Sequence, residues 1–136
     1  MIGLVLVGHS QDLVTGVAAM VRQAAPGVPV EGAGGLSGGR LGTSGIEVGG
    51  ALRRALEAAA GSPIVVLLDL GSASMALEIG LEQLADGDRG RVHVTEAPFV
   101  EGAVLAAIAA AGGAGIDEVI AAAEAAASTP KLPRSR

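Results

Sequence analysis

Short, continuously apolar runs alternate along this chain with stretches whose apolar residues recur at helical spacing. Ile2 to Val7 is an unbroken apolar run, the pattern of a strand buried on both faces. After Ser10-Gln11-Asp12, the residues Leu13, Val17, Met20, Val21 and Ala24 follow a helical period, and Pro26-Gly27 ends that helix. Val28 to Ala33 reads as a second, weaker strand. Gly34 to Gly42 is a glycine-rich loop carrying Ser37 and Arg40. Ser44-Gly45-Ile46-Glu47 then has the form of a capping box, and Val48, Leu52, Ala55 and Leu56 carry the helix to about Ala60.

Gly61-Ser62-Pro63 introduces Ile64 to Leu68, a second strongly buried strand that finishes at Asp69. Leu70-Gly71-Ser72-Ala73-Ser74 turns into a helix whose Leu77, Leu81 and Leu84 face inward. Asp86 to Gly90 reads as a polar turn and Arg91 to Thr95 as a short fourth strand. Pro98 opens a helix marked by Val100, Val104 and Ile108. Gly112 to Gly115 separates it from a last helix with Ile116, Val119, Ile120 and Ala123. Residues 1–127 therefore form one domain, and Ser128 to Arg136, with its prolines and basic residues, reads as a flexible C-terminal tail. Strands alternating with helices imply right-handed crossovers and a three-layer α/β domain, with a mostly parallel sheet and helices on both faces. With the strand order 2-1-3-4, the topological switch point falls between the first and third strands, where open α/β sheets bind ligands.

Composition narrows the choice of function. Half of the 136 residues are hydrophobic, enough for one core, but Phe99 is the only aromatic and there are 22 glycines. Close helix-to-sheet packing is expected, and a deep pocket for an aromatic or lipid ligand is not. The net charge of -5, the absence of a Lys/Arg cluster and the lack of aromatic platforms argue against nucleic acid as a partner. There is no cysteine, hence no disulfide and no thiolate metal site, which fits a reducing cytoplasm. Ile2 to Val7 has no basic region before it and is too short to span a membrane. The alanine-rich stretch from Ala103 to Ala127 is broken by Gly112-Gly113, Gly115, Asp117, Glu118 and Glu124, so it reads as two soluble helices.

The chemistry then centres on His9, at the mouth of the first strand-to-helix loop. Only two histidines are present. Asp69 ends the neighbouring strand. A carboxylate there can accept from one ring nitrogen, fix the tautomer and leave the other nitrogen as nucleophile or base. Gly8-His9-Ser10, Gly42-Thr43-Ser44 and Gly71-Ser72 can supply backbone N–H groups and helix N-termini to an anion. Taken singly, each feature has a plainer reading: His9 as an exposed loop histidine, Asp69 as a cap or turn residue, the glycine loop as merely flexible, Arg40 as solvated. His93, between Val92 and Val94, reads as a structural strand residue. Several motifs fail. Asp12 stands where a nucleophile elbow needs glycine, and no lysine follows Gly42-Thr43 as a nucleotide P-loop requires. Neither a dinucleotide fingerprint nor the acidic cluster of a receiver domain follows the first strand.

From Met1 to about Ala126 the chain resembles the DhaM family, subunits of phosphotransferase-dependent dihydroxyacetone kinase related to the mannose-class enzyme IIA domains. The resemblance rests on Val7-Gly8-His9-Ser10, Gly39-Arg40-Leu41-Gly42-Thr43-Ser44, Leu68-Asp69-Leu70-Gly71-Ser72-Ala73 and Ala97-Pro98-Phe99-Val100-Glu101-Gly102-Ala103. Each motif is weak alone, but their order and spacing are specific, and Pro-x-x-Glu-Gly points to the DhaM branch. The resemblance implies that His9 accepts a phosphoryl group from the phosphocarrier protein HPr and passes it to ADP held on a DhaL subunit. The ATP so formed would serve dihydroxyacetone bound to DhaK. It further implies Asp69 as the orienting partner of His9, and Ser10, Thr43, Gly71 and Ser72 as groups that stabilise the phosphoryl oxygens. No metal or resident cofactor is implied; a cytoplasmic homodimer is.

Two departures stand out. Ser37 and Gly38 occupy positions where many members carry an acidic pair, and no fused HPr-like or enzyme I-like domain follows, so HPr is expected as a separate protein. The alternatives are a mannose-class IIA component that hands its phosphoryl group to a sugar-specific IIB partner, and a regulatory phosphohistidine module. A more distant one is a small α/β chelatase with a metal at His9, which would want a second histidine nearby.

Overall fold

A computed structural model describes residues 1–133. Its four strands, β1 (Gly3–Gly8), β2 (Val30–Gly34), β3 (Ile64–Leu68) and β4 (Val92–Thr95), form one sheet in the order β2-β1-β3-β4, with every neighbouring pair parallel. This is the 2-1-3-4 order expected from the sequence. The helices are α1 (Gln11–Ala24), α2 (Gly45–Ala58), α3 (Ala73–Glu82), the single turn α4 (Asp86–Arg89), α5 (Phe99–Ala111) and α6 (Ile116–Ala125). β3 has the predicted bounds, while β1 and β2 begin and end a residue or two later than the apolar runs suggest. Of the expected capping box the N-cap half forms: Ser44 Oγ accepts from Glu47 N at 3.3 Å and starts α2, with no return bond from Ser44 N to the Glu47 carboxylate among the described residues.

The strand alternation divides the core. Leu4, Leu6, Val65 and Leu67 face α1, α5 and α6, whereas Val5, Val7, Ile64 and Val66 face α2 and α3. Both faces are covered, which is why β1 and β3 are apolar throughout. At the amino ends of the strands, Arg91 fastens the far edge: its Nη2 donates to Leu56 O at 3.0 Å and to Ser62 O at 2.8 Å. Among the described residues no helix is long and apolar enough to cross a membrane.

Helix faces depart from the apolar periodicity. In α1 the buried residues are Val14, Val17, Ala18 and Val21, while Leu13 and Met20 are exposed. In α5 the marked stripe is turned largely outward, with only Val104 half-buried. Gly102, Ala103, Ala106, Ala107 and Ala110 meet the sheet, and Val100 and Ile108 lie on the outside, 38% and 50% exposed. Small residues win the inner face because the helix approaches closely. A Cβ on Gly102 would stand 2.9 Å from Ala97 Cβ and 3.2 Å from a Leu67 methyl.

The tail expectation falls partly outside the described residues, at positions 134–136. Before that point, Ala126–Ser128 is a 3-10 turn, Thr129 Oγ1 donates to Ala125 O at 2.8 Å, and Lys131 pairs with Glu101 on α5.

Close packing also joins α2 to α3, where a Cβ on Gly80 would lie 2.8 Å from a Val48 methyl and 2.9 Å from Gly49 N. Gly80→Val is therefore expected to lower the unfolding free energy by about 2 kcal/mol, the usual cost of overpacking. Urea denaturation checks this; an unchanged midpoint would mean that the two helices part without cost.

Candidate active site at the carboxyl ends of β1 and β3

β1 delivers His9 and β3 delivers Asp69 to adjacent positions, because the two strands pair directly, with Val7 opposite Leu68. Asp69 N donates to Val7 O at 3.1 Å, extending the ladder by one bond. The strand ends come so close that a Cβ on Gly8 would meet a Val14 methyl at 2.9 Å and the Asp69 carboxyl carbon at 3.3 Å. A glycine before His9 thus lets the carboxylate reach beneath it.

Asp69 binds His9 twice. Its Oδ2 accepts from the His9 backbone N–H at 2.9 Å, and its Oδ1 lies 2.9 Å from Nδ1 of the ring. Oδ1 also accepts from Leu70 N at 2.7 Å. The Asp69 side chain is only 8% exposed, against 25% for His9. A carboxylate accepts but does not donate, so Nδ1 carries its hydrogen towards Asp69 and Nε2 holds the lone pair. Ser72 Oγ lies 3.0 Å from that Nε2, with its hydroxyl placed to donate.

The glycine-rich loop is tied to the same point. Gly35 N donates to Gly8 O at 3.3 Å and Gly42 N to His9 O at 2.9 Å, which brings Thr43 and the start of α2 beside His9. No hydrogen bond from the Thr43 hydroxyl to the ring occurs among the described residues. Ser10 Oγ caps α1 by accepting from Leu13 N at 3.2 Å, leaving its hydrogen available. Gly71 and Ser72 stand at the start of α3, and their backbone N–H groups have no acceptor among the described hydrogen bonds. Arg40 is exposed on the loop, its Nε donating to Ser37 O at 3.4 Å. His93 lies in β4 opposite Val65, with β3 between it and β1.

The apolar rim is the part that sequence reasoning missed. Leu41, Ile46, Leu70 and Met75, on the loops and helix starts around His9, are 74%, 75%, 58% and 71% exposed. The available signal was an aliphatic residue set among glycines in a turn, as at Arg40-Leu41-Gly42 and Asp69-Leu70-Gly71. Next to Gly71 and Ser74, the loops after β3 and β4 bound an open cleft of about 610 Å³, lined by Leu68, Leu70, Pro98 and Phe99 together with Asp69, Thr95 and Glu96. Chemically, the arrangement presents one imidazole nitrogen in a fixed tautomer, with hydroxyl and backbone donors close by.

Residues 3–123 match the family EIIA-man, described as PTS system fructose IIA component. A phosphoryl donor subunit DhaM of PEP-dependent dihydroxyacetone kinase from Klebsiella michiganensis is 36% identical over 124 residues, 88% of this chain. The chain spans about a quarter of that relative's length, 26%. A DhaM of PEP-dependent dihydroxyacetone kinase 1 from Listeria innocua is 33% identical, covering 77% of this chain and 78% of its own length. Among solved structures, a protein of unknown function, EF1359, superposes with a TM-score of 0.79 at 28% identity, over 90% of this chain and 92% of that one.

Long-range nitrogen–proton NMR of the His9 ring is expected to show the Nδ1–H tautomer in the wild type. In Asp69→Ala that preference should collapse. The same variant should lose about 1–3 kcal/mol of stability, because donors held by one carboxylate lose their acceptor. A wild-type ring protonated at Nε2 instead would contradict this hydrogen-bond assignment.

Proposed function

The chain belongs to the EIIA-man family, and on that footing we propose that it is a phosphohistidine carrier of the DhaM kind, a phosphotransferase component serving dihydroxyacetone kinase. The observation that carries the reading is the division of labour within the His9 ring. Nδ1 is occupied by a nearly buried carboxylate, while Nε2 keeps its lone pair at the surface.

In the forward step, Nε2 of His9 attacks the phosphorus of a phosphohistidine on HPr. The new N–P bond forms as the old one breaks, and the positive charge that builds on the His9 ring is balanced across Nδ1–H by Asp69. In the second step, a terminal phosphate oxygen of ADP on DhaL attacks the same phosphorus from the side opposite Nε2. The N–P bond breaks, its electron pair returns to Nε2, and ATP is formed. Such transfers depend mainly on positioning and charge stabilisation. His9 is the catalytic residue and Asp69 its positioning residue. Ser72 donates to Nε2 while the lone pair is free and turns to a phosphoryl oxygen once it is used. The N–H groups of Gly71 and Ser72, with Ser10 and Thr43, add further donors. The chain itself supplies no nucleotide or metal in this scheme.

Both partners approach the same surface, and its rim of Leu41, Ile46, Leu70 and Met75 lets either of them close over the phosphoryl group and exclude water. A cytoplasmic setting fits a donor that is itself a soluble phosphocarrier. Self-association into a homodimer is supported by the outward aliphatic side chains of the neighbouring helices α1 and α5, Leu13, Met20, Leu105 and Ile108. The description of the family as a fructose IIA component also favours a second reading, transfer to a sugar-specific IIB protein.

Incubation with labelled phosphoenolpyruvate, enzyme I and HPr should give an acid-labile, base-stable label on the wild type and none on His9→Ala. Asp69→Ala should label at least about 100-fold more slowly, in line with the loss of the carboxylate that orients the nucleophile and balances its developing charge. Discharge of the label on addition of DhaL–ADP supports the DhaM reading, and discharge only by a IIB protein overturns it in favour of the sugar system. Label that persists in His9→Ala removes His9 from the role.

A further inference from the structure

The contacts of His9 extend to a hydroxyl, and this gives the site a second kind of chemistry. Asp69 Oδ1 lies 2.9 Å from Nδ1, and Ser72 Oγ lies 3.0 Å from Nε2. Carboxylate, imidazole and hydroxyl thus form one continuous chain of hydrogen bonds. Hydrolases that work through an acyl-serine use this order of groups, and the constellation is identified by geometry and roles rather than by position in the sequence. We propose that Ser72 is a nucleophile in a Ser72–His9–Asp69 relay that transfers acyl groups from activated carboxylic esters.

Other groups that such a reaction uses stand nearby. Ser72 is exposed and stands at the head of α3, a helix of 10 residues whose amino end favours developing negative charge. Among the described residues the N–H groups of Gly71 and Ser72 donate to no protein acceptor, which leaves them free for the oxyanion of a tetrahedral intermediate. The cleft lined by Gly71 and Ser74, on either side of Ser72 in the chain, combines Leu68, Leu70, Pro98 and Phe99 with Asp69, Thr95 and Glu96, and its apolar part can take a short aliphatic acyl chain.

The steps balance. Ser72 Oγ bonds to the acyl carbon as its proton passes to Nε2, and Asp69 stabilises the imidazolium. The carbon–oxygen bond to the leaving alcohol breaks, and the alcohol leaves with that proton. Water then adds to the acyl-serine, giving its proton to Nε2. The Oγ–carbon bond breaks, the carboxylic acid departs, and Ser72 regains its hydrogen.

Phosphoryl transfer to Ser72 by the same route is excluded by geometry. An in-line acceptor must stand on the side of phosphorus opposite Nε2, whereas an oxygen 3.0 Å from Nε2 lies on the near side. The acyl chemistry is therefore distinct from the carrier role, and a phosphoryl group on Nε2 switches it off by removing the base.

The test uses the purified, unphosphorylated chain with p-nitrophenyl acetate, read by nitrophenolate release and by mapping the acetylated peptide. The wild type should show a burst of one equivalent, with a hydroxylamine-resistant ester on Ser72 at neutral pH. Ser72→Ala should lower the burst rate about 100-fold, and His9→Gln should do the same, consistent with loss of nucleophile and base. Ser72→Cys should retain a burst, which separates loss of the nucleophile from loss of the fold. Prior phosphorylation of His9 with potassium phosphoramidate should abolish the burst. A burst in Ser72→Ala equal to that of the wild type, or acetyl found on His9 alone, overturns the proposal. No phosphoryl donor protein takes part, so this outcome is independent of the transfer assay with HPr and DhaL.

Discussion

The buried carboxylate of Asp69 holds the site together. It accepts from the backbone N–H of His9, from Nδ1 of its ring and from the N–H of Leu70. Burying an ionised carboxylate is costly unless donors surround it, and here the donors are groups that the site needs fixed. One side chain thereby joins the ends of two strands, sets the ring plane and chooses the tautomer. None of this is possible unless β1 and β3 are neighbours, so the crossed strand order is as much a part of the site as the residues are. A sheet with strands in sequential order would put β2 between His9 and Asp69.

The packing follows from the same economy of space. With a single aromatic residue, the core fills its layers with valine, leucine and alanine, and its helices approach through Gly80 and Gly102 where larger residues would collide. Bulk that is unsuited to the close contacts is left outside. Val100, Ile108 and Met20 lie on outward faces, and Leu41, Leu70 and Met75 gather round the histidine. Leucines of β1, α2 and β3 such as Leu4, Leu52 and Leu67 fill the layers, while this second set of aliphatic side chains stands on surfaces that another molecule can meet.

Most of the fold was legible in the sequence because parallel strands buried on both faces leave unbroken apolar runs, and Ile64 to Leu68 gave β3 to the residue. The Ser44–Glu47 cap was equally plain. Helix orientation was not, since periodicity marks apolar residues without saying which are small enough for the inner face; α5 turns Ala103 and Ala106 inward and Ile108 outward for that reason. Within the site, His9 and Asp69 could be paired from the strand order alone. The placement of Ser72 Oγ on Nε2 could not, because it depends on how tightly the turn from Asp69 into α3 closes.

That turn leads to a general point about the ring. A histidine with both nitrogens exposed could react at either and would hold its charge in no fixed place. Here one nitrogen is committed to Asp69, so an electrophile that reacts with the ring must come to Nε2, along a direction set by β1 and beside the hydroxyl of Ser72. In a neutral ring Nε2 is an acceptor, and the serine hydrogen is drawn to it. When Nε2 bonds to an electrophile its lone pair is consumed, and the same hydrogen must find a new acceptor. The nearest oxygens will be those of the group just received. In the proposed carrier role the Ser72 hydroxyl thus has a partner before and after reaction with only a rotation about its C–O bond, so the site can change chemical state without moving its backbone.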